Sequence, residues 1–345
     1  MRFFRSKRSI VGCDLGRSAV KLVQLAPQGN GWKVLHAEIR ELTPEPRSDE
    51  KWPSTQAVQA AAGCSWLDGQ PVAVGLQSRP AVLRHLDLPR IPKRELREAL
   101  RWEAKKATSM PVEDLIVDYL AGSVTKKEGG GTTMPITLIA AERAAVEWEF
   151  EFYRQAGFPV KAMEINPLAF YYAARRLGRD QTGSGFVAYV DIGAGRMDIN
   201  IAKQGMLRFT RSIPLGGDLL TQSLATKFGI DMTEAETIKR EQGLSGKPKV
   251  LEVLAPEVDR LVVEIQRSID YYRAQSHDGA LTNLWLAGGT PLTAGFIEYI
   301  SSFFDAKVAV FNPFEGMDCR ETRLNLDDLA PRFVSSVGLA LRGHG

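Results

Sequence analysis

The segment Ile10-Val-Gly-Cys-Asp14-Leu-Gly16-Arg-Ser-Ala-Val-Lys21-Leu-Val-Gln-Leu25 decides the fold, because its pattern returns at Val187-Ala-Tyr-Val-Asp191-Ile-Gly193-Ala-Gly-Arg-Met-Asp198-Ile-Asn-Ile-Ala202. Each copy begins with a short apolar run of the strand type, followed by Asp-apolar-Gly, a tight turn and a second apolar run. In the ungapped frame that relates the copies, Lys21 falls opposite Asp198. The repeat predicts two lobes of one design.

Both copies also continue alike beyond the second run. A polar turn with glycine follows, Pro27–Gly31 in one copy and Lys203–Gly205 in the other. A third strand-like run then returns, from Trp32 to Ile39 and from Met206 to Ile213. Asp-x-Gly hairpins are common enough to recur by chance, but a frame shared over three strands favours duplication.

The two Asp-x-Gly turns suit a polyphosphate held between them. Glycine lets backbone N–H groups approach a phosphate without a clash from Cβ. The aspartates at the strand ends, Asp14 and Asp191, point into the same space. Two carboxylates can orient the water shell of Mg²⁺, which keeps several waters and takes few protein ligands.

Composition excludes several other classes of protein. The 345 residues are 44% apolar and 25% charged, which is ordinary for a globular protein and enough for two cores. The net charge of +3 does not call for a nucleic-acid partner. The three cysteines lie far apart, which argues against a disulfide framework or a cysteine zinc site. No window approaches the ~20 apolar residues of a membrane span.

Two further motifs fit a nucleotide, although each is weak alone. An apolar strand, Leu284–Leu286, runs into Gly288-Gly289, where a flat ring can lie against the backbone; a plain turn is the alternative. Thr233 is the expected N-cap of a helix that carries Glu236 and Lys239 on one face. A solvated surface pair is the alternative for these two charges.

The order Asp14-x-Gly16, Asp191-x-Gly193-x-Gly195, Glu236-x-x-Lys239, Gly288-Gly289 resembles the actin/Hsp70/sugar-kinase superfamily. Within it the chain resembles the PilM family of type IV pilus assembly, with the division protein FtsA as a more distant relative. The closer resemblance rests on Arg101–Ala104, Met110–Tyr119, Arg211–Asp218, Asn312–Phe314 and Val337–Gly343. It implies an α/β, actin-like two-lobed fold of duplicated ribonuclease-H-like lobes, with an inserted α+β subdomain of the SHS2 type in the first lobe.

The resemblance also implies ATP and Mg²⁺ as ligands and assigns residues to them. Asp14 and Asp191 would bind Mg²⁺ through water. The remaining nucleotide-binding residues would be Gly16, Arg17, Ser18 and Lys21 from the first phosphate loop, Gly193, Ala194, Gly195 and Arg196 from the second, and Gly216, Gly217, Glu236, Lys239, Gly288, Gly289 and Thr290 on the side of the ribose and base.

The chain departs from the superfamily pattern in two places. Arg196-Met197 stands where relatives carry small hydroxyl residues, so Arg196 would replace hydroxyl contacts by a cation. Asn166, before Pro167, occupies the place of the glutamate that positions the attacking water. An amide can orient a water but cannot accept its proton. We therefore name no catalytic residue beyond Asn166 and expect at most weak ATPase activity.

The expected first lobe comprises residues 1–182 and 328–345, and the second lobe residues 183–327. An insertion at about 80–160 is expected within the first lobe, with a helix after Pro92 and a final helix from Arg143 to Gln155. The first of these helices is rich in basic residues. That pattern fits a docking face for an acidic partner or a membrane surface, and equally a solvated helix with internal charge pairs.

The favoured function is an ATP-binding cytoplasmic adaptor that binds the cytoplasmic tail of the inner-membrane protein PilN. Its place is the cytoplasmic face of the inner membrane, reached through its partners. Other pilus assembly proteins are further expected partners, nucleic acid is not, and a homodimer is left open. The alternatives are a small-molecule kinase, for which we find no acceptor base, and an FtsA-like or type II secretion scaffold. These scaffolds stay alternatives, although Leu341-Arg-Gly-His-Gly345 shows neither the amphipathic nor the transmembrane helix that they usually carry, which disfavours both.

Overall fold

The computed structural model describes residues 9–42, 53–61, 63–77, 81–108, 110–122, 124–126, 132–179, 183, 185–276 and 278–342. The expected domain limits near residues 80 and 182, and residues 343–345 of the tail, lie outside these ranges. The strands are β1 (Val11–Leu15), β2 (Ala19–Gln28), β3 (Gly31–Glu41), β4 (Val72–Leu76), β5 (Val82–Pro89), β6 (Leu115–Ala121), β7 (Thr125–Lys126), β8 (Thr132–Glu142), β9 (Val160–Ile165), β10 (Phe186–Ile192), β11 (Met197–Lys203), β12 (Met206–Ile213), β13 (Leu281–Ala287) and β14 (Lys307–Val310). The α-helices are α1 (Thr55–Ala61), α2 (Lys93–Ala107), α3 (Arg143–Gln155), α4 (Asn166–Arg176), α5 (Gly217–Phe228), α6 (Met232–Glu241), α7 (Pro248–Ser276), α8 (Phe296–Ser301), α9 (Leu326–Leu329) and α10 (Val334–Arg342).

Two five-stranded sheets share one topology. Their orders are β3-β2-β1-β4-β9 and β12-β11-β10-β13-β14. In each, three strands run antiparallel through hairpins and two further strands add in parallel. The duplication read from the sequence is therefore confirmed, and we call the sheets and their helices the first and second lobes. The residue limits of the lobes stay a prediction.

The hairpins form where the sequence supplies left-handed turn residues. Gln204 and Gly205 both have positive φ, 49° and 70°, as a two-residue turn between twisted strands requires. The local pairing places Asp14 opposite Lys21 and Asp191 opposite Asp198. Lys21 and Asp198 are therefore equivalent positions, as the ungapped frame predicts.

A third sheet, in the order β5-β8-β6 with β7 also on β8, forms with α2 what we call the inserted subdomain. Helix α2 packs Leu96, Leu100 and Ala104 against one face of this sheet. The other face meets the body of the protein, where the hydroxyl of Thr137 donates to the carbonyl of Leu207 at 3.2 Å. The sheet thus lies between the lobes and α2, which makes α2 an outer layer.

The lobes meet across a continuous core. Helix α10 packs on α4, β1 and β2 of the first lobe. Gly338 makes this approach possible, because a Cβ there would overlap the carbonyl oxygen of Ala169. Asp318, beyond β14, exchanges backbone hydrogen bonds with Trp32 and Val34, so the segment after the second sheet pairs with β3.

Sequence reasoning missed some elements. The 29-residue helix α7 was not predicted, although Val250, Leu254, Val258 and Leu261 give it a buried stripe. After Gly288-Gly289 the chain forms a 3₁₀ turn at Thr290–Leu292 and then the short helix α8. The left-handed Gly295, with φ of 72°, sets where that helix begins.

Candidate nucleotide site

Asp14 is a carboxylate at the end of a wholly buried strand. It is 8% exposed, and burial of a carboxylate is costly unless the charge is paired. Lys21, its partner in register on β2, places Nζ 2.8 Å from Oδ2. The side-chain amide of Gln77 donates to Oδ1 at 3.4 Å. Asp14 is thus fixed between a cation and an amide.

Asp191 occupies the equivalent place in the second lobe but faces a carboxylate instead of an ammonium. Its register partner is Asp198, where the first lobe has Lys21. The hydroxyl of Ser335 donates to Asp191 at 3.4 Å. Burial, followed by the charges of Asp14 and Asp198, raises the pKa of Asp191 to about 7. The cleft is therefore short of positive charge at Asp191, which is the condition that a bound cation relieves.

Arg196 connects the two lobes. Its guanidinium lies 3.1 Å from the Asp198 carboxylate, and it donates to the side-chain and backbone oxygens of Gln77 at 2.8 and 3.2 Å. The backbone N–H of Gln77 in turn donates to both oxygens of Glu149, at 3.0 and 2.9 Å, on the fully buried side of α3. We call the Arg196–Gln77 contact the clasp. Gln77 thereby touches Asp14 from one side and Arg196 from the other.

Sequence reasoning missed Gln77. One signal was available, because Gln77 directly follows β4, which runs parallel to β1. Parallel neighbours end at the same edge of a sheet, where ligands of open α/β sheets bind. A polar residue directly after β4 is therefore expected to lie near Asp14.

The two phosphate loops face each other. The Cδ of Arg17 lies 3.0 Å from the point where Gly195 would carry a Cβ, so the Arg17 side chain reaches across to the second loop. Arg17 also pairs with Asp218 of the second lobe at 3.1 Å, although both side chains are largely exposed. A Cβ at Gly16 would lie 2.9 Å from the Lys21 ammonium. Ser18 is exposed in the same turn.

The second phosphate loop is braced by the start of α5. The backbone N–H groups of Gly217 and Asp218 donate to the carbonyls of Gly193 and Ala194 at 2.9 and 2.8 Å. The hydroxyl of Thr290 donates to the same Gly193 carbonyl at 3.0 Å. A Cβ at Gly216 would lie 2.5 Å from both carbonyl oxygens, which leaves room only for glycine. These expected site residues thus form one packed unit.

Lys239 and Glu236 are not a solvated pair. Lys239 is 5% exposed, and its ammonium lies 2.5 Å from Glu236 Oε2 and 2.9 Å from the hydroxyl of Thr221. The expected N-cap at Thr233 is wrong, because Asp231 caps α6 by accepting from the N–H of Glu234 at 2.8 Å. Asp and Thr are both good caps, and the turn geometry before the helix decides between them.

Gly288 brings the adenosine-side loop against Asp191. Its φ of 92° favours glycine, and a Cβ there would lie 2.6 Å from Asp191 Oδ1. Its N–H donates to the carbonyl of Pro331 at 2.9 Å. The next glycine, Gly289, lies near the guanidinium of Arg332, which pairs with Glu41 of the first lobe at 2.8 Å.

Asn166 is 8% exposed at the start of α4, and its Oδ1 has no hydrogen-bond partner among the described residues. Glu164, two residues earlier, turns elsewhere. Its carboxylate lies 2.6 Å from Arg342 and accepts from Tyr172 at 3.3 Å, and burial raises its pKa. Glu164 therefore does not stand in for the missing glutamate at position 166.

The donor set fits Mg-ATP and does not fit a metal held by protein alone. Among the described residues, no group of three or more His, Cys, Asp or Glu side chains is placed to hold a metal ion. Two carboxylates beside glycine loops suit Mg²⁺, which takes most of its ligands from water and phosphate.

Across the same described ranges, no helix is long and apolar enough to cross a bilayer.

Comparisons with known proteins agree with this architecture. The family model for the type IV pilus assembly protein PilM matches residues 12–344. The cell division protein FtsA of Bacillus subtilis (strain 168) is 30% identical over 152 residues, which cover 41% of this chain and 34% of FtsA. FtsA of Neisseria meningitidis serogroup B (strain MC58) is 26% identical over 271 residues, which cover 69% of this chain and 64% of FtsA. The chain thus spans less than two thirds of the length of these relatives.

Solved structures extend the comparison to the whole fold. The chain is similar to a PilM–PilN type IV pilus biogenesis complex, with a TM-score of 0.81 and 23% identity over 98% of this chain and 99% of that one. It is also similar to the ethanolamine utilization protein EutJ from Carboxydothermus hydrogenoformans, with a TM-score of 0.55 and 21% identity over 96% and 89%. The expected actin-like fold is confirmed. With the family match over nearly its whole length, the chain belongs to the PilM family of type IV pilus assembly proteins.

Proposed function

We propose that the chain is an ATP-binding adaptor of type IV pilus assembly, which holds Mg-ATP between its lobes and binds the cytoplasmic tail of a PilN-like inner-membrane protein. The observation that carries the nucleotide part is the unbalanced charge at Asp191. Its pKa of about 7 reflects first the burial of the carboxylate and then the nearby charges of Asp14 and Asp198. Asp14 and Asp191 would hold a divalent cation through its waters, and its charge would relieve the repulsion between the carboxylates.

The chain's own residues would hold the nucleotide from both sides. Lys21, Arg17 and the backbone of Gly16 would face the phosphates from the first lobe, and the Gly193–Gly195 loop from the second. Mg²⁺, when bound, supplies charge neutralisation of the phosphates through its water shell. Lys239 holds Glu236 in place through a short ion pair. The carboxylate of Glu236 stays half-exposed and would face a ribose.

Arg196 gives the nucleotide a way to change the contact between the lobes. Its guanidinium is engaged by Asp198 and Gln77. A phosphate is a strong bidentate partner for arginine and would compete for the same donors. Nucleotide binding is therefore expected to replace the clasp by a contact that runs through phosphate.

Hydrolysis is expected to be weak. A water beside Asn166 could be oriented by the amide, but no proton could pass to it. Glu164 is tied to Arg342 and Tyr172. A small-molecule kinase needs a free carboxylate in the cleft as its base. Because Glu164 is held by these contacts, it does not supply one, which disfavours a kinase.

The tail of the PilN-like partner is expected at the open edge of β6. Among the described residues β6 pairs only with β8, whereas the opposite edge strand β5 lies against β12. Asp118 of β6 acts electrostatically on Glu164 of β9 and Arg342 of α10, so β6 lies near these elements of the first lobe. An extended peptide can add to such an edge through main-chain hydrogen bonds. Bound in this way, the chain would work at the cytoplasmic face of the inner membrane.

The nucleotide part is tested by isothermal titration of the purified protein with Mg-ATP. Asp14→Ala and Asp191→Ala should each weaken binding roughly 10- to 100-fold, as loss of an outer-shell metal contact does. Asp87→Ala, which removes an exposed carboxylate on β5, is the matched control and should bind as the parent does. Full affinity in both cleft variants would contradict the proposed site.

The partner part is tested with a synthetic peptide of the PilN cytoplasmic tail and amide hydrogen exchange. Added pairing should slow exchange in β6 and leave the covered edge β5 unchanged. Protection at another surface would move the groove away from β6. Absence of peptide binding would refute the adaptor function while leaving the nucleotide site standing.

A further inference from the structure

The outward face of α2 carries a row of cations. Lys93, Arg97, Arg101 and Lys105 follow one another at intervals of four residues, so they lie along one side of the helix, and all are exposed. Helix α2 contains six basic residues, Lys93, Arg94, Arg97, Arg101, Lys105 and Lys106, against three acidic ones, Glu95, Glu98 and Glu103. Its net charge of +3 equals that of the entire chain.

The acidic residues of α2 leave the centre of this row uncompensated. Glu103 is engaged by Lys106 at 2.6 Å and by Arg84 at 3.4 Å. Glu98 reaches only Arg94, at 3.9 Å and with both side chains mostly exposed. Within the described ranges Arg97 and Arg101 form no ion pair. The internal pairs expected for a solvated helix are therefore present in part, but among the described residues they leave Arg97 and Arg101 without an ion pair.

An apolar element accompanies the charges. Trp102 is 65% exposed, and the Lys105 ammonium lies 5.5 Å from the centre of its ring. Along the same helix an open depression of ≈ 490 Å³ is lined by Lys93, Arg94, Arg97, Glu98 and Arg101, and its walls are largely the apolar stems of these side chains. Tryptophan together with long basic side chains is the composition that settles at a bilayer interface.

We propose that this face of α2 docks on an anionic phospholipid surface, with Arg97 and Arg101 against headgroup phosphates and Trp102 at the interface. The buried stripe Leu96, Leu100 and Ala104 anchors the helix to the inserted sheet, so the cations are presented from a fixed outer layer. An acidic peptide would also complement the positive charge of this helix face. The cations follow one another along an exposed helix that also carries an exposed indole, which matches a plane of repeated phosphates, and peptide binding is an outcome of the test below. The proposal does not depend on the nucleotide cleft or on the PilN-like tail.

Co-sedimentation of the full chain with lipid vesicles tests the proposal. The protein should partition onto vesicles of phosphatidylglycerol and phosphatidylcholine in equal parts, and not onto phosphatidylcholine alone. The double variant R97Q/R101Q should lower the partition coefficient roughly 30-fold, from about fivefold for each charge near an anionic surface. The control K247Q/K249Q removes the same charge from exposed positions of the second lobe and should keep most of the binding.

Tryptophan quenching places the contact. Brominated acyl chains should quench the fluorescence of the parent protein, and W102F should lose most of that quenching. Equal losses in the two double variants would mean that net charge alone drives binding, and would overturn the assignment to α2. Failure to bind anionic vesicles, together with R97Q/R101Q-sensitive binding of a poly-glutamate peptide, would assign the face to an acidic protein partner instead.

Discussion

Asp191→Asn should stabilise the nucleotide-free protein at neutral and higher pH. The folded structure raises the pKa of Asp191 from its ordinary value of 3.8 to about 7, chiefly through burial and the charges of Asp14 and Asp198. Between these two values the folded protein holds a proton that the unfolded chain has lost, so stability falls as the pH rises. A tenfold change in an equilibrium constant is worth about 1.4 kcal/mol. The difference between the two pKa values therefore lowers the free energy of unfolding by at most roughly 4 kcal/mol above pH 7.

The asparagine variant carries no charge in either state and so escapes the penalty. Its advantage in the free energy of unfolding should be near zero at pH 4, grow up to pH 7 and stay constant above it. Thermal unfolding followed by circular dichroism at pH 4, 6 and 8 measures it, and the expected rise in Tm at pH 8 is on the order of 5 °C. Asp87→Asn, at an exposed position, should stay within about 0.5 kcal/mol of the parent protein throughout.

A variant that is no more stable than the parent at pH 8, or an advantage that does not change with pH, would refute the reasoning. The same substitution should weaken Mg-ATP binding, because an amide is a poorer partner for the water shell of a cation. Opposite signs for stability and binding are expected where a site stores unfavourable charge for its ligand.

Three further substitutions test other parts of the structure. Lys239→Met leaves Glu236 and the hydroxyl of Thr221 without the buried ammonium. We expect urea unfolding to show a free energy of unfolding that is lower by about 1–3 kcal/mol, and an unchanged midpoint would contradict this. Gly338→Ala forces α10 away from α4 and should lower the free energy of unfolding by about 1–3 kcal/mol. In the control Gly31→Ala the new Cβ would meet nothing closer than 3.7 Å, so the free energy of unfolding should hardly change. Asn166→Glu should release phosphate from ATP faster than Asn166→Gln, since the two differ in basicity and not in length; equal rates would show that a missing base is not what limits turnover.

The sequence alone was sufficient for the features that rest on local pairing. Each lobe opens with hairpins, and a hairpin fixes its own register through its turn, so the frame that aligned Lys21 with Asp198 is the frame found in the sheets. Glycines at tight turns and buried runs of strand type are also visible without a fold. The Asp-x-Gly motifs accordingly lie at the strand ends and turns that the sequence predicts, whereas their role in binding a nucleotide stays a prediction.

Only the tertiary structure placed Gln77 and Glu149 in the site and buried Lys239. These contacts join residues far apart in sequence, such as Gln77 and Arg196, and periodicity along one segment carries no information on what lies opposite. The same holds for Glu164, whose distance of two residues from Asn166 suggested a role that its pairing with Arg342 removes. Local sequence decides which side chains each turn can offer. The packing of the two sheets through α4 and α10 decides which of them meet, because that packing sets the separation and angle of the lobes.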